Sequence, residues 1–130
     1  MKNSVSIVPA THLHHPTSDD GISHIIALHG LGASVSDLKP VASSMHLPHV
    51  HWHFIAAPTR PVTINAGVLM PAWFDIFGFK ENSPVDHEGI RSSCQLIITH
   101  LKELIEHQGV APKKIALLGF SQGGVIALHT

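Results

Sequence analysis

Apolar residues gather in three short, nearly unbroken runs, separated by stretches with helical spacing. Ile22-Ser23-His24-Ile25-Ile26-Ala27-Leu28 ends in His29-Gly30, and His51-Trp52-His53-Phe54-Ile55-Ala56-Ala57 ends in Pro58. Lys114-Ile115-Ala116-Leu117-Leu118 ends in Gly119. The first and third runs show almost no polar alternation, as expected of strands covered on both faces of a parallel sheet. Ser4–Val8 is predicted as a fourth strand, at an edge. Between the strands, Ser36–His46 sets Leu38, Val41, Ala42 and Met45 at helical spacing, with Pro40 tolerated because it falls in the first turn. A longer helix is predicted from Ser83-Pro84, an N-cap and N1 pair with Asp86 in the first turn. Its stripe is Ile90, Cys94, Ile97, Ile98, Leu101, Leu104 and Ile105, and Gly109 with Pro112 stops it.

Strand, helix, strand, helix, strand is the order of an α/β fold with parallel crossovers. The stretch from Pro58 to Lys80 has no clear period. It carries Trp73, Phe74, Phe77 and Phe79, so a packed active-site loop is expected there rather than disorder.

At the end of the last strand stands Gly119-Phe120-Ser121-Gln122-Gly123, the G-x-S-x-G pattern of a nucleophile elbow. The pattern alone is weak, since glycine and serine are common in turns. Its setting strengthens it: an apolar strand leads in, and Gly124-Val125-Ile126-Ala127-Leu128 opens a helix. A serine on such a tight turn needs small neighbours, and the new helix aims its free N–H groups at developing negative charge. The alternative is an ordinary Gly-rich strand-to-helix turn. A second glycine turn, His29-Gly30-Leu31-Gly32, follows the first strand. An oxyanion hole takes one N–H from the residue after the nucleophile and another from the loop after a neighbouring strand, which are the places of Gln122 and Leu31.

Composition narrows the function classes. The 130 residues carry a formal net charge of −1, giving no electrostatic case for nucleic acid. The N-terminus lacks a signal-peptide apolar core, and no window has the length of a membrane span. A single cysteine, Cys94, excludes an intrachain disulfide, fits a reducing cytoplasm, and reads as a small core residue on its helical stripe. No cofactor motif occurs, and oligomeric state is left open by the sequence.

From about His24 onward the chain resembles the phospholipase/carboxylesterase group of α/β-hydrolases that includes the acyl-protein thioesterases. Three blocks carry the resemblance. They are Leu28-His29-Gly30-Leu31-Gly32, then Arg60–Gly67 continuing through Met70–Ile76, then Gly119–Gly124. The middle block is the most specific, because no turn or propensity rule generates it. The resemblance implies an α/β-hydrolase fold, with a mostly parallel sheet and flanking helices. It implies hydrolysis of carboxylic esters or thioesters, with Ser121 as nucleophile and the Leu31 and Gln122 N–H groups as oxyanion donors. It also implies that the 58–80 loop walls an acyl groove lined by Met70 and Trp73; for Trp73 a buried aromatic pinning the loop is the competing view. Asp75 belongs to the middle block but precedes the serine. In this fold the acid follows the serine, so Asp75 is not read as the catalytic acid.

Only His129 among the thirteen histidines follows Ser121, and no Asp or Glu does. His129 lies eight residues along the helix the serine opens, about 12 Å of rise and beyond hydrogen-bond reach. The expectation is therefore a single incomplete domain over residues 1–130, truncated after the elbow, with negligible esterase turnover of its own. Two other views stay open. One is an inactive remnant or a non-enzymatic binding protein that keeps the elbow by descent. The other is a metal-binding module built on His49, His51 and His53 or on His12, His14 and His15, although both clusters lack the carboxylates or cysteines that usually complete a site. No metal site is expected.

Overall fold

Strand β2 (His24–Leu28) lies between β3 (His51–Ile55) and β6 (Ile115–Gly119), parallel to both, and β1 (Val5–Val8) adds antiparallel to the outer side of β3. This is seen in a computed structural model that describes the backbone of Val5–Val8 and residues 21–130. The sheet order β1-β3-β2-β6 is thus mostly parallel, with the expected edge strand at β1. The His12, His14 and His15 cluster lies outside the described residues.

The pleat sorts the strand side chains into two cores. Ile25 and Ala27 of β2 with Trp52 and Phe54 of β3 pack against Leu38 of helix α1 (Val35–Ser44). Ile26, Leu28 and Ile55 face the other way, onto Cys94, Ile97 and Leu104 of the long-helix region and onto Ile126 of α3 (Gln122–His129). Both faces of β2 are covered, which is why its run carries so little polar alternation; β3 alternates His51 and His53 with Trp52 and Phe54. Strand β6 reads the same in sequence, but its side chains are half-exposed. It has a neighbour on one edge only among the described residues.

Three local expectations need correction. Helix α2 (His87–Lys102) starts later than Ser83-Pro84: Asp86 is the N-cap, its carboxylate accepting the Gly89 N–H at 3.0 Å. A side-chain oxygen that satisfies a free helix donor outweighs the Ser-Pro signal. Beyond Lys102 the helix continues as one wide turn, Glu103–His107, before Gly109 ends it with φ +69°. In α1, Pro40 sits in the second turn rather than the first. It lies on an exposed stretch, where the carbonyl it cannot bond faces water. The stretch from Pro58 to Lys80, expected as a packed loop without a period, contains regular structure. It holds a hairpin of β4 (Thr59–Val62) and β5 (Val68–Pro71), closed through a short 3-10 turn at Thr63–Asn65. The hairpin escapes a periodicity search because its strands are short, two of its residues are prolines, and Val68 and Leu69 are both exposed.

Candidate active site

The elbow follows from a collision rule. Phe120 N–H bonds the Leu28 carbonyl at 3.0 Å, so the chain leaving β6 is still tied to β2 as it turns. α3 then starts immediately and passes close under β2. A Cβ on Gly123 would meet the Leu28 carbonyl and come within 2.6 Å of the His29 oxygen, and one on Gly119 would collide with the Gly123 carbonyl. These partners are backbone and cannot swing aside, so both outer glycines of the motif are required by space. The turn also forces Ser121 to φ +53° and ψ −117°, where an L-residue is strained by on the order of 1–3 kcal/mol. Ser121 is exposed, at the N-terminus of α3, with its carbonyl accepting the first helical N–H groups from Gly124 and Val125.

The second glycine turn lies against the first. A Cβ on Gly30 would stand 3.4 Å from the Ser121 Cβ and 3.4 Å from the Phe120 oxygen. Around these turns most backbone donors are in use: Gly32 N–H bonds Pro71 O, Ala33 N–H bonds Gly30 O, and Gly123 N–H bonds Phe120 O. Among the described residues, the N–H groups of Leu31 and Gln122 have no such backbone acceptor, and neither do those of Gly30 and Ser121. Free backbone donors, those of Leu31 and Gln122 among them, thus border one exposed hydroxyl.

The hairpin block is bolted to this pair of turns. The Gln122 side chain, buried beside the serine, accepts the Trp73 N–H at 2.7 Å and donates to the Phe74 carbonyl at 2.8 Å. Trp73 itself is 0% exposed; its indole N–H donates to the His29 carbonyl at 2.7 Å, and Ser93 of α2 donates its hydroxyl to the Trp73 carbonyl. Trp73 is thus held by bonds to His29 and Ser93 and exposes no surface among the described residues, as a loop-pinning aromatic would. Met70 is half-buried, and its sulfur lies beside Gly32, 3.6 Å from where a Cβ would project, with Asn65 Nδ2 also 3.6 Å away. Its position at the rim of the turn is compatible with contact to a ligand.

Asp75 is occupied structurally. It accepts the Thr63 hydroxyl and N–H and the Ile76 N–H, and these bonds, the hydroxyl's first, hold its carboxyl below the usual carboxylate range. Asp86 grips the Asp75 N–H at 2.8 Å while capping α2, joining the block to that helix. His129 donates from Nδ1 to the Val125 carbonyl of its own helix at 2.8 Å, turned back along α3 rather than towards Ser121.

The side chains of His29, Gln122, Asp86 and Ser93 are the residues that sequence reasoning passed over. Only the first two had a signal: a histidine and a glutamine inside otherwise small or apolar motif positions. The bonds of Asp86 and Ser93 depend on helix placement that no local pattern reveals.

Four other described histidines gather elsewhere. His24 and His53 bond ring to ring at 2.8 Å, with His51 stacked on His24. His53 and His100 line a cavity of about 210 Å³ with Ile26, Glu103 and Leu104, none of them from the elbow or the oxyanion turn. Burial, then the neighbouring imidazoles, pushes His53 down to about 4. No group of three or more His, Cys, Asp or Glu among the described residues is placed to hold a metal ion. No helix among them is long and apolar enough to cross a membrane.

A family model described as phospholipase/carboxylesterase matches residues 16–130. Acyl-protein thioesterase 1 of Schizosaccharomyces pombe is 39% identical over 110 residues, spanning 81% of this chain and 47% of the relative. Acyl-protein thioesterase 1 of Debaryomyces hansenii is 33% identical over 132 residues, spanning 95% and 56%. Among solved structures, Arabidopsis thaliana SOBER1 superposes with a TM-score of 0.78 at 32% identity, over 84% of this chain and 54% of that one. Zea mays acyl-protein thioesterase 2 superposes with a TM-score of 0.74 at 27% identity, over 98% and 50%. The chain spans about half the length of the relatives it matches.

Proposed function

Because this chain belongs to the phospholipase/carboxylesterase family and carries the α/β-hydrolase fold, we propose that it supplies the nucleophile half of a serine hydrolase of carboxylic esters or thioesters. Ser121 Oγ attacks the acyl carbonyl, and the Leu31 and Gln122 N–H groups receive the oxyanion as it forms. The observation that carries this is the strained, exposed Ser121 where two glycine turns leave backbone donors, those of Leu31 and Gln122 among them, without acceptors. Strain at a serine with no packing role is expected where it aims a nucleophile. Met70 borders the acyl site. The substrate is an acyl ester or thioester, the setting is the cytoplasm, and neither nucleic acid nor a cofactor takes part.

Among the described residues no histidine or carboxylate bonds the Ser121 hydroxyl. No acid follows it, and His129 is engaged on its own helix. A serine hydroxyl without a base is a poor nucleophile. The pure 130-residue chain is therefore expected to show negligible p-nitrophenyl ester hydrolysis. A chain extended by the acid and histidine is expected to turn over and to label with a fluorophosphonate at Ser121. Turnover by the 130-residue chain that vanishes in Ser121→Ala would refute the missing-base argument. An extended chain that is neither active nor labelled would favour a binding protein that keeps the elbow.

A further inference from the structure

We propose that His29 is a positioning residue that sets the direction of the Leu31 N–H; the inference rests on the hydrolase proposal, which makes that N–H an oxyanion donor. The Gly30 carbonyl and the Leu31 N–H are opposite ends of one planar peptide, so whatever holds the carbonyl aims the N–H the other way. The His29 ring holds it. Ala57 N–H donates to Nε2 at 3.0 Å, which leaves the ring proton on Nδ1, and Nδ1 lies 2.8 Å from the Gly30 oxygen. The imidazole is thus a strut from the end of β3 to the oxyanion turn. With 1% of its surface exposed and both nitrogens engaged, it is not available as a base.

The strut is tied to the second donor. The Trp73 indole holds the His29 carbonyl, and the Trp73–Phe74 backbone is held by the Gln122 side chain. Gln122 carries the other N–H on its own backbone. One circuit, Gly30 to His29 to Trp73 to Gln122, therefore fixes the two donors relative to each other. This explains why a histidine, a tryptophan and a glutamine occur together in blocks otherwise built for turns, and it gives the middle block a task at the reacting centre without contact to substrate.

Two substitutions separate the halves of the strut. The amide of His29→Asn stands where Nδ1 stands and can still donate to Gly30; that of His29→Gln reaches Nε2's place and serves Ala57 instead. The probe is phenylboronic acid with the 130-residue chain. Ser121 Oγ forms a bond to boron, the hydroxyl proton leaves to solvent, and the tetrahedral anion places an oxygen at the donors. Adduct formation is followed by boron NMR, with the Leu31 amide resonance, the His29 ring nitrogen shifts and the melting temperature followed alongside.

The wild-type ring is expected to carry its proton on Nδ1. His29→Gln is expected to move the Leu31 amide resonance and to weaken the adduct about tenfold or more, while His29→Asn stays within about threefold of wild type. The proposal is overturned if the ring proton is on Nε2. It is equally overturned if His29→Gln binds as wild type with the Leu31 resonance unmoved. Should His29→Gln not fold, His29→Asn decides: a native melting temperature with a displaced Leu31 resonance overturns the proposal, and an unmoved one supports it. Absence of any wild-type adduct is the behaviour of a serine without its base, and the positioning claim is then decided by the Leu31 resonance and ring nitrogen shifts: a moved resonance in His29→Gln with the proton on Nδ1 supports it, and an unmoved one overturns it.

Discussion

The two flanks of β2 are finished differently. Towards β3 the sheet is covered on both faces, with Trp52, Phe54 and Ile55 buried and Trp73 closing the top. Towards β6 the cover thins: the β6 side chains are half-exposed, Phe120 is 69% exposed and Leu128 is 89% exposed. The nucleophile sits on the thin flank, yet its geometry is set from the thick one. Phe120 is tied to Leu28, Gly123 lies against the Leu28 and His29 carbonyls, and Gln122 is clamped to Trp73 and Phe74. An elbow can therefore keep its shape on a poorly covered strand if its bonds run to a well-covered one.

Trp73→Ala tests that dependence hardest. It removes a fully buried indole and leaves the buried His29 carbonyl without its donor. The expected loss is about 3–5 kcal/mol of unfolding free energy in urea. The elbow should loosen with it, seen as a shifted Gln122 amide. Loss of stability with an unchanged elbow would break the comparison, because the serine would then be held from its own strand. Gly123→Ala attacks the same junction from the other side. It is expected to cost about 1–3 kcal/mol, since the atoms it meets are backbone.

The thick flank has one polar weakness. His24, His51 and His53 cluster on the first residues of β2 and β3, and His53 shares a cavity lining with His100 and Glu103. Burial followed by neighbouring imidazoles lowers His53 to about 4, and His24 shifts the same way. His100 is lowered by burial, with Glu103 opposing. An unfolded histidine titrates near 6.5, so as pH falls the unfolded chain takes the proton first. Stability is thus complete above about pH 6.5 and is lost as pH falls from there towards 4. The melting temperature should drop by several degrees across that window and the drop should flatten in His53→Leu. An equal slope in that variant would remove the cluster as the cause.

These contrasts also mark what sequence could reveal. The strands of the parallel sheet, the stripe through Cys94, Ile97 and Leu104, and the Ser121 elbow were legible because each is local: a run, a period or a motif. The two glycine turns that hold Leu31 and Gln122 were legible for the same reason, and the donor role of their N–H groups belongs to the proposal. Trp73 was not settled, because a tryptophan in an aperiodic loop reads alike whether it meets ligand or core. The Asp86 cap hid behind Ser83-Pro84, as local signals for helix starts compete and tertiary bonds, here to the Asp75 N–H, select among them. The β4–β5 hairpin hid because exposed apolar residues erase the period-two signal. The exposure of β6 was invisible to its own composition, since an apolar run says that a strand can be buried and not that a neighbour is at hand to bury it.

That last point yields the smallest expected effect. Leu128 lies near the end of α3 with 89% of its surface exposed, while Ile126 on the same helix is fully buried against β2. Replacing an exposed leucine with lysine removes little packing and keeps good helix propensity, and a cation near a helix C-terminus meets a favourable dipole. Leu128→Lys should change the unfolding free energy by no more than about 0.5 kcal/mol. It should also raise the concentration at which the chain stays dispersed in light scattering, because it replaces a large exposed apolar side chain with a charged one. A loss above about 1 kcal/mol that grows with protein concentration would mean that Leu128 is packed in solution by a second copy of the chain. The thin flank would then be an interface, and the contrast between the two flanks of β2 would hold only for the isolated chain.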